Sequence, residues 1–324
     1  MKFIKISMMT LVMFLFFGCE KESKVTVIKL AHCLDPSHSV HKAMVYMNDR
    51  LIEKSGGKMR IDIYPSGQLG GERELIELLQ IGSLGMTKVS VSPMESFVPE
   101  MKIFSLPYVF RSEDHLWRVL QSDIGKKLLV AGESYFLRGV CYYDAGSRSF
   151  YIKNKPVNTP EDLKGLKVRV MQSKTAVDMV MALGGSATPI TWGELYTALQ
   201  QGVVDAAENN PPSFYLSRHY EVCQYYCLDE HTSIPDILLI GTKVWSNLSK
   251  QEQSWLQAAA DESVDYQRKL WKQSSDESLE AVRKAGVQVL YPDKTKFQEA
   301  VQPLKDSYKG TSIYELLETI NNIE

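Results

Sequence analysis

The chain has 324 residues, enough for about two domains of ordinary size. Its 37 basic and 39 acidic side chains leave a formal charge of −2 with no Lys/Arg-rich run, which excludes a strongly basic nucleic-acid binder. A hydrophobic content of 44% against 23% charged residues excludes a disordered chain and supplies apolar side chains for more than one core.

The N-terminus reads as an export signal. Lys2 and Lys5 precede an apolar run from Met8 to Phe17, and Gly18-Cys19 follows. The apolar run is roughly ten residues, well short of the roughly twenty that span a bilayer. Residues 1–18 are therefore expected to be a signal peptide. Phe16-Phe17-Gly18-Cys19 resembles a bacterial lipobox, which implies lipidation of Cys19, a membrane anchor and a polar tether over residues 19–24. The mature protein is then periplasmic or otherwise extracytoplasmic. Cys33, Cys141, Cys223 and Cys227 are too few to form a disulfide framework in a chain this long.

Strand-like runs then alternate with helical patterns, the grammar of an α/β fold. Val25–Ala31 reads as a strand, Ser39–Ser55 as a helix closed by Gly56-Gly57, and Met59–Tyr64 as a second strand. Glu72–Ile81 is a helix stopped by Gly82, and Met86–Val91 a third strand. The second half repeats the pattern. A helix start lies at Thr159-Pro160-Glu161-Asp162, a strand at Leu166–Met171 and a helix at Ser173–Leu183. A capping box at Thr191–Glu194 opens a helix ending at Gly202, and Val203–Ala207 is a strand. A further capping box, Ser249–Glu252, opens a stretch without Gly or Pro to Ala285. As one helix it would extend about 50 Å, long enough to bridge two lobes; a break near Ser274-Ser275 would make it two.

In open α/β sheets ligands sit beyond the carboxyl ends of strands. Those ends carry His32-Cys33, Lys88 and Ser90, Arg169, and Glu208-Asn209-Asn210; Arg148 lies beside Phe150 in a comparable setting. A guanidinium within an apolar strand, as at Arg169, requires a carboxylate from the chain or from a ligand. Its planar fork takes a carboxylate bidentately. Two arginines converging on one cleft would mean an anionic small molecule.

Several blocks look like the solute-binding proteins of TRAP (tripartite ATP-independent periplasmic) transporters, the DctP-like family. They are Tyr64–Glu74, Gly165–Val170 and Pro189–Val204 followed by Asp205–Asn209, and the likeness runs from about Val25 to the last helices. The resemblance implies a two-lobe fold like that of periplasmic binding proteins, with a ligand cleft between lobes, a long bridging helix and closure on an organic acid. Lobe I is expected to hold residues 25–146 and 235–274, and lobe II residues 147–234 and 275–324.

Carried onto this sequence, the resemblance makes Arg169 the grip on the ligand carboxylate, Asn209 a donor to the same ligand and Arg148 a second arginine near the carboxylate. It makes Glu72 an acceptor from ligand hydroxyls and Trp192 an aromatic lid on the ligand. Ser90 stands where sialic-acid-binding members have an acid. His32 and Asp236, the latter in the Ile234-Pro235-Asp236 hinge region, complete the set. Glu72, Asp236 and His32 opposite an arginine pair suit a sugar acid better than a dicarboxylate, because carboxylates repel a second carboxylate and accept well from hydroxyls. Glu208–Tyr215 and Asp229–Asp236 also look like hexuronate-binding members, so glucuronate or galacturonate is the expected ligand. A C4-dicarboxylate, another sugar acid, or a sensor role in place of transport remain as alternatives. The TRAP membrane subunits are the implied partners.

No enzyme motif competes. There is no Gly-x-Ser-x-Gly or His-Glu-x-x-His, no phosphate loop and no full dinucleotide fingerprint, so no cofactor is expected. His219, Cys223, Cys227 and His231 recur every four residues, but on one helix they would span about 18 Å, too far for one metal ion.

Overall fold

The computed structural model describes residues 25–324; residues 1–24, where a signal peptide, a tether and lipidation of Cys19 are expected, lie outside the described residues. The strands are β1 (Thr26–Ala31), β2 (Met59–Tyr64), β3 (Met86–Ser90), β4 (Leu137–Tyr143), β5 (Arg148–Ile152), β6 (Lys167–Val170), β7 (Ser186–Pro189), β8 (Ala206–Asn209), β9 (Tyr225–Thr232), β10 (Asp236–Gly241) and β11 (Gln288–Leu290). They form two mixed sheets, ordered β2-β1-β3-β10-β4 and β11-β9-β5-β8-β6-β7. Each sheet is the floor of one lobe.

The chain changes lobe between Tyr143 and Arg148 and again between Thr232 and Asp236. Each crossing strand enters its new sheet antiparallel. β10 pairs Asp236 with Ser90 of β3, and β5 pairs Ser149 with Asn209 of β8. The amino ends of β5 and β10 therefore lie beside the carboxyl ends of β8 and β3, and all four face the space between the lobes.

The stretch free of Gly and Pro is one helix, Lys250–Lys284, of 35 residues. Ser249 Oγ accepts from Glu252 N and the Glu252 carboxylate accepts from Ser249 N, satisfying two orphan donors. Arg283 and Lys284 in the last turn match the negative end of the helix dipole. Leu256, Ala259 and Ala260 pack in the lobe I core with Val40, Met44 and Leu238. Val282, near the other end, packs in the lobe II core with Tyr151, Leu199 and Tyr226.

Midway, the helix grips the first crossing. Gln267 Oε1 accepts from Asp144 N and its Nε2 donates to Asp144 O, both at 2.8 Å. One turn earlier, Ser263 Oγ meets the Tyr143 hydroxyl at 2.6 Å. Across the cleft, the lobe I residue Glu95 accepts from Thr175 N at 3.0 Å, at the start of the lobe II helix Lys174–Ala182.

Three elements differ from the sequence reading. Val203 is exposed after the turn at Gly202, so β8 starts at Ala206 and carries Glu208 and Asn209 inside the strand. Thr191 Oγ1 donates to the Glu194 carboxylate at 2.6 Å in place of capping a backbone N–H. A 3-10 turn, Trp192–Glu194, therefore precedes the helix Leu195–Gln200. Residues 275–324 do not all stay with lobe II. The helix Lys294–Asp306 buries Phe297 and Val301 there, but Ser312–Asn321 buries Ile313, Leu317 and Ile320 against Met101, Phe104 and Leu116 of lobe I. An amphipathic helix specifies an apolar partner surface and not which one.

The four cysteines of the described residues are free. Among those residues no group of three or more His, Cys, Asp or Glu is placed to hold a metal, and no helix is long and apolar enough to cross a membrane. Cys227 and His231 lie on β9, whereas His219 lies in a 3-10 turn, which dissolves the four-residue repeat.

The Gln267 clamp carries a testable cost. Gln267→Leu keeps the volume but leaves both buried polar groups of Asp144 without partners, at about 1–3 kcal/mol each. Urea denaturation of the variant is expected to show a loss of about 2–6 kcal/mol; a loss under half a unit would show that the clamp does not hold the crossing.

Candidate functional site

The space between the lobes is walled on one side by Glu72, Lys88, Ser90 and Asp236 and on the other by Arg148, Arg169, Trp192 and Asn209. Trp271 reaches it from the long helix. Seven of the eight ligand-binding residues expected from sequence line this one cavity. The exception is His32.

Arg169 is the penultimate residue of β6 and is 3% exposed. Its Nε donates to Ile190 O at 2.8 Å, and its guanidinium lies 5.9 Å from the Trp192 ring centre. Nη1 has no partner, and no carboxylate of the described residues lies within ion-pair distance. Burial pushes its pKa down. A buried cation is costly when unpaired, so the carboxylate that Arg169 requires does not come from the described chain.

Arg148 differs. Its Nε and Nη2 form a fork on the Glu208 carboxylate, Nη2 also donates to Glu208 O at 2.8 Å, and Nη1 donates to Asn209 Oδ1 at 2.9 Å. A guanidinium has five N–H donors, and the chain engages four. Arg148 lines the same cavity as Arg169 but is charge-balanced by Glu208, with one N–H left. Burial alone would raise the Glu208 pKa, but Arg148 and His231 hold it down to about 2. Burial alone would lower that of His231, but Asp229 at 2.8 Å and Glu208 at 3.6 Å hold it up at about 9.

This pairing orients Asn209. Its Oδ1 accepts from Arg148 Nη1 and from Asn210 N, both at 2.9 Å. The amide NH2 is thereby left for the cavity. Asn210 next to it is spent structurally, donating to Ala145 O and accepting from Ser213 N.

The lobe I wall is built around Lys88, 3% exposed within β3. Its ammonium sits 3.0 Å from Asp236 and 3.7 Å from Glu72. Glu72 opens the helix Glu72–Gln80 and also accepts from Ser90 N at 2.8 Å. Two carboxylates share one cation. Burial raises the Asp236 pKa to about 6 against the pull of Lys88, with Glu72 adding to the rise. The wall is rich in acceptors and holds no free cation.

His32 lies behind this wall, fully buried and outside the cavity lining. Its Nδ1 accepts from Leu34 N at 3.1 Å and its Nε2 meets His41 Nδ1 at 3.0 Å. Burial, Lys88 and the neighbouring histidines push its pKa down to about 2. It is a neutral brace for the turn after β1, and its neighbours Cys33 and Leu34 face the cavity instead.

Lys88, His38 and Trp271 also line the cavity; of these only Lys88 is picked out in the sequence, at a strand end and without a role. Lys88 carries the same signal as Arg169, a cation inside a buried strand. Trp271 carries none, because the middle of a long amphipathic helix does not disclose what it faces.

The family described as bacterial extracellular solute-binding protein, family 7 (DctP), matches residues 30–311. The chain belongs to this family. A TRAP periplasmic solute-binding protein from a Bradyrhizobium species, solved in complex with α/β-D-galacturonate, is 41% identical; the match covers 91% of this chain and 99% of that one, with a TM-score of 0.89. Another, from Anaerococcus prevotii with bound α/β-D-glucuronate, is 36% identical over 91% of this chain and 98% of that one, with a TM-score of 0.87. The Salmonella typhimurium protein YiiZ, named as uncharacterized, is 38% identical over 99% of this chain and 98% of its own. The two-lobe architecture and the role of solute-binding component of a TRAP transporter follow.

The His231 network makes stability depend on pH. A histidine raised from 6.5 to about 9 on folding contributes stability that is fully present below 6.5 and lost as pH rises through about 9. Histidines that burial holds neutral, among them His32 and His38, act in the opposite direction up to about pH 7.5, and thiols ionising in the unfolded chain around their ordinary pKa of about 8.5 add to any fall above it. The His231 contribution is therefore read as the difference in urea stability between wild type and His231→Gln, which is expected to shrink steadily from pH 6.5 to pH 8.5; a difference that stays constant would remove His231 as its source.

Proposed function

We propose that this chain binds a hexuronate, D-glucuronate or D-galacturonate, in the cleft between its lobes and presents it to the membrane subunits of a TRAP transporter. The observation that carries the reading is the buried guanidinium of Arg169, without a carboxylate of its own and facing a cavity whose far wall offers Glu72 and Asp236. The sugar carboxylate pairs with Arg169 and takes a hydrogen bond from the Asn209 amide. The ring hydroxyls donate to Glu72 and Asp236, and Trp192 covers an apolar face of the ring. Relatives solved with galacturonate and glucuronate support this choice of ligand. A C4-dicarboxylate would bring a second carboxylate to a wall whose only cation, Lys88, is already shared by two acids.

The mechanism is binding and closure. An open cleft admits the acid, and contacts made from both walls at once favour the closed arrangement. Desolvation in the closed cleft strengthens the charge-assisted hydrogen bonds at Arg169. The signal peptide and a lipid on Cys19 would place the protein outside the cytoplasm and hold it at a membrane.

Calorimetry with D-glucuronate, D-galacturonate and succinate tests the site. Wild type is expected to bind the uronates, and Arg169→Ala to lose about a hundredfold or more in affinity for them, the usual cost of removing one partner of a buried charge pair. Unchanged affinity would reduce Arg169 to a brace of the fold. The anchor is tested separately: Cys19→Ser should abolish incorporation of labelled palmitate and release the protein from membranes, whereas retained label would rule out Cys19 as the lipidated residue.

A further inference from the structure

His38 faces the cleft and has no role in the binding scheme above. It precedes the helix Ser39–Lys54 as its cap, with Nδ1 accepting from Val40 N at 3.2 Å. A ring nitrogen that accepts carries no proton, so in the neutral ring the proton sits on Nε2. His38 is 4% exposed and lines the cavity, yet its buried Nε2 has no partner among the described residues. Burial and Lys88, with Lys42 and His41 adding to them and Asp35 opposing, push its pKa down to about 3, so the ring is neutral throughout the physiological range.

Capping does not account for this residue. Asn, Ser or Asp would cap as well or better, and none of them reaches out to place an N–H where Nε2 stands. An unmet donor in a buried setting is costly, and here it stands in a cavity built for a ligand. The Trp271 ring lies 5.9 Å away, tilted by 45°, and borders the same space.

The neighbouring wall is dominated by acceptors: of its donors, Lys88 is shared by two acids, and the Ser90 hydroxyl is the neutral one. Glu72 and Asp236 accept hydrogen bonds from hydroxyls, and a hydroxyl that donates still has lone pairs to satisfy. A neutral N–H meets that need without attracting a second carboxylate. We propose that the Nε2–H of His38, bordered by Trp271, is a specificity subsite that donates to a hydroxyl or ring oxygen of the sugar and so favours a polyhydroxylated acid over a plain one. The assignment rests on the uronate reading.

The test uses His38→Asn, which keeps a capping oxygen for Val40 N and places no donor where Nε2 stands. With the melting temperature of the free protein near that of wild type, calorimetric affinity for D-glucuronate is expected to fall about tenfold or more; unchanged affinity overturns the assignment. If the variant melts well below wild type, wild-type protein carrying nitrogen-15 histidine gives the answer. Saturation with D-glucuronate should shift the His38 Nε2 proton downfield, and an unmoved resonance overturns the assignment. Wild type binding neither uronate would sink the uronate reading and this assignment with it. Uronate binding with no effect at His38 sinks this assignment alone.

Discussion

The site depends on how five buried charges are divided on the lobe II side. Glu208 neutralises Arg148 through a two-pronged contact, and His231 and Asp229 buttress that pair from behind. Because Glu208 is spent there, Arg169 keeps its charge exposed to the cleft alone. A carboxylate turned from Arg148 to Arg169 would fill the anion site from within. The Arg148 fork, fixed at once by the side chain and the carbonyl of Glu208, holds that carboxylate in place.

The lobe I wall solves the converse problem. Two carboxylates that face a ligand must be kept in a buried place without repelling it or each other beyond repair. Lys88 between them supplies the compensating charge, and the partial protonation tendency of Asp236 relieves what remains. Neither wall could be exchanged for the other. One is a single vacant cation, and the other is a set of acceptors in which two carboxylates share one cation.

Much of this was legible in the sequence, and the limits have physical causes. Arg169 stands out as a cation inside an apolar strand, and the strand-end rule finds it together with Ser90 and Asn209. Asp236 and Arg148 lie at amino ends, and they reach the cleft only because β10 and β5 enter their sheets antiparallel, a pairing that local pattern does not encode. The Arg148–Glu208 pair escaped for a related reason: β8 begins three residues later than its apolar run suggests, because Gly202 turns the chain and leaves Val203 outside. His32 lies outside the cavity lining because position beyond a strand end does not decide which way a side chain points. The long helix was readable as a single rod from the absence of breakers and its capping box, whereas the return of Ser312–Asn321 to lobe I depends on a surface assembled from distant segments.

The bond from Thr175 N to Glu95 ties one lobe to the other without involving any residue that lines the cavity between them. Neither partner touches a bound solute, so the bond asks only that the lobes be together. It therefore shifts the balance between apart and together by the same amount for every solute. Binding strength as a whole and preference among solutes are thus set by different residues, and the first can be retuned at Glu95 while the second stays as the cavity wall determines it.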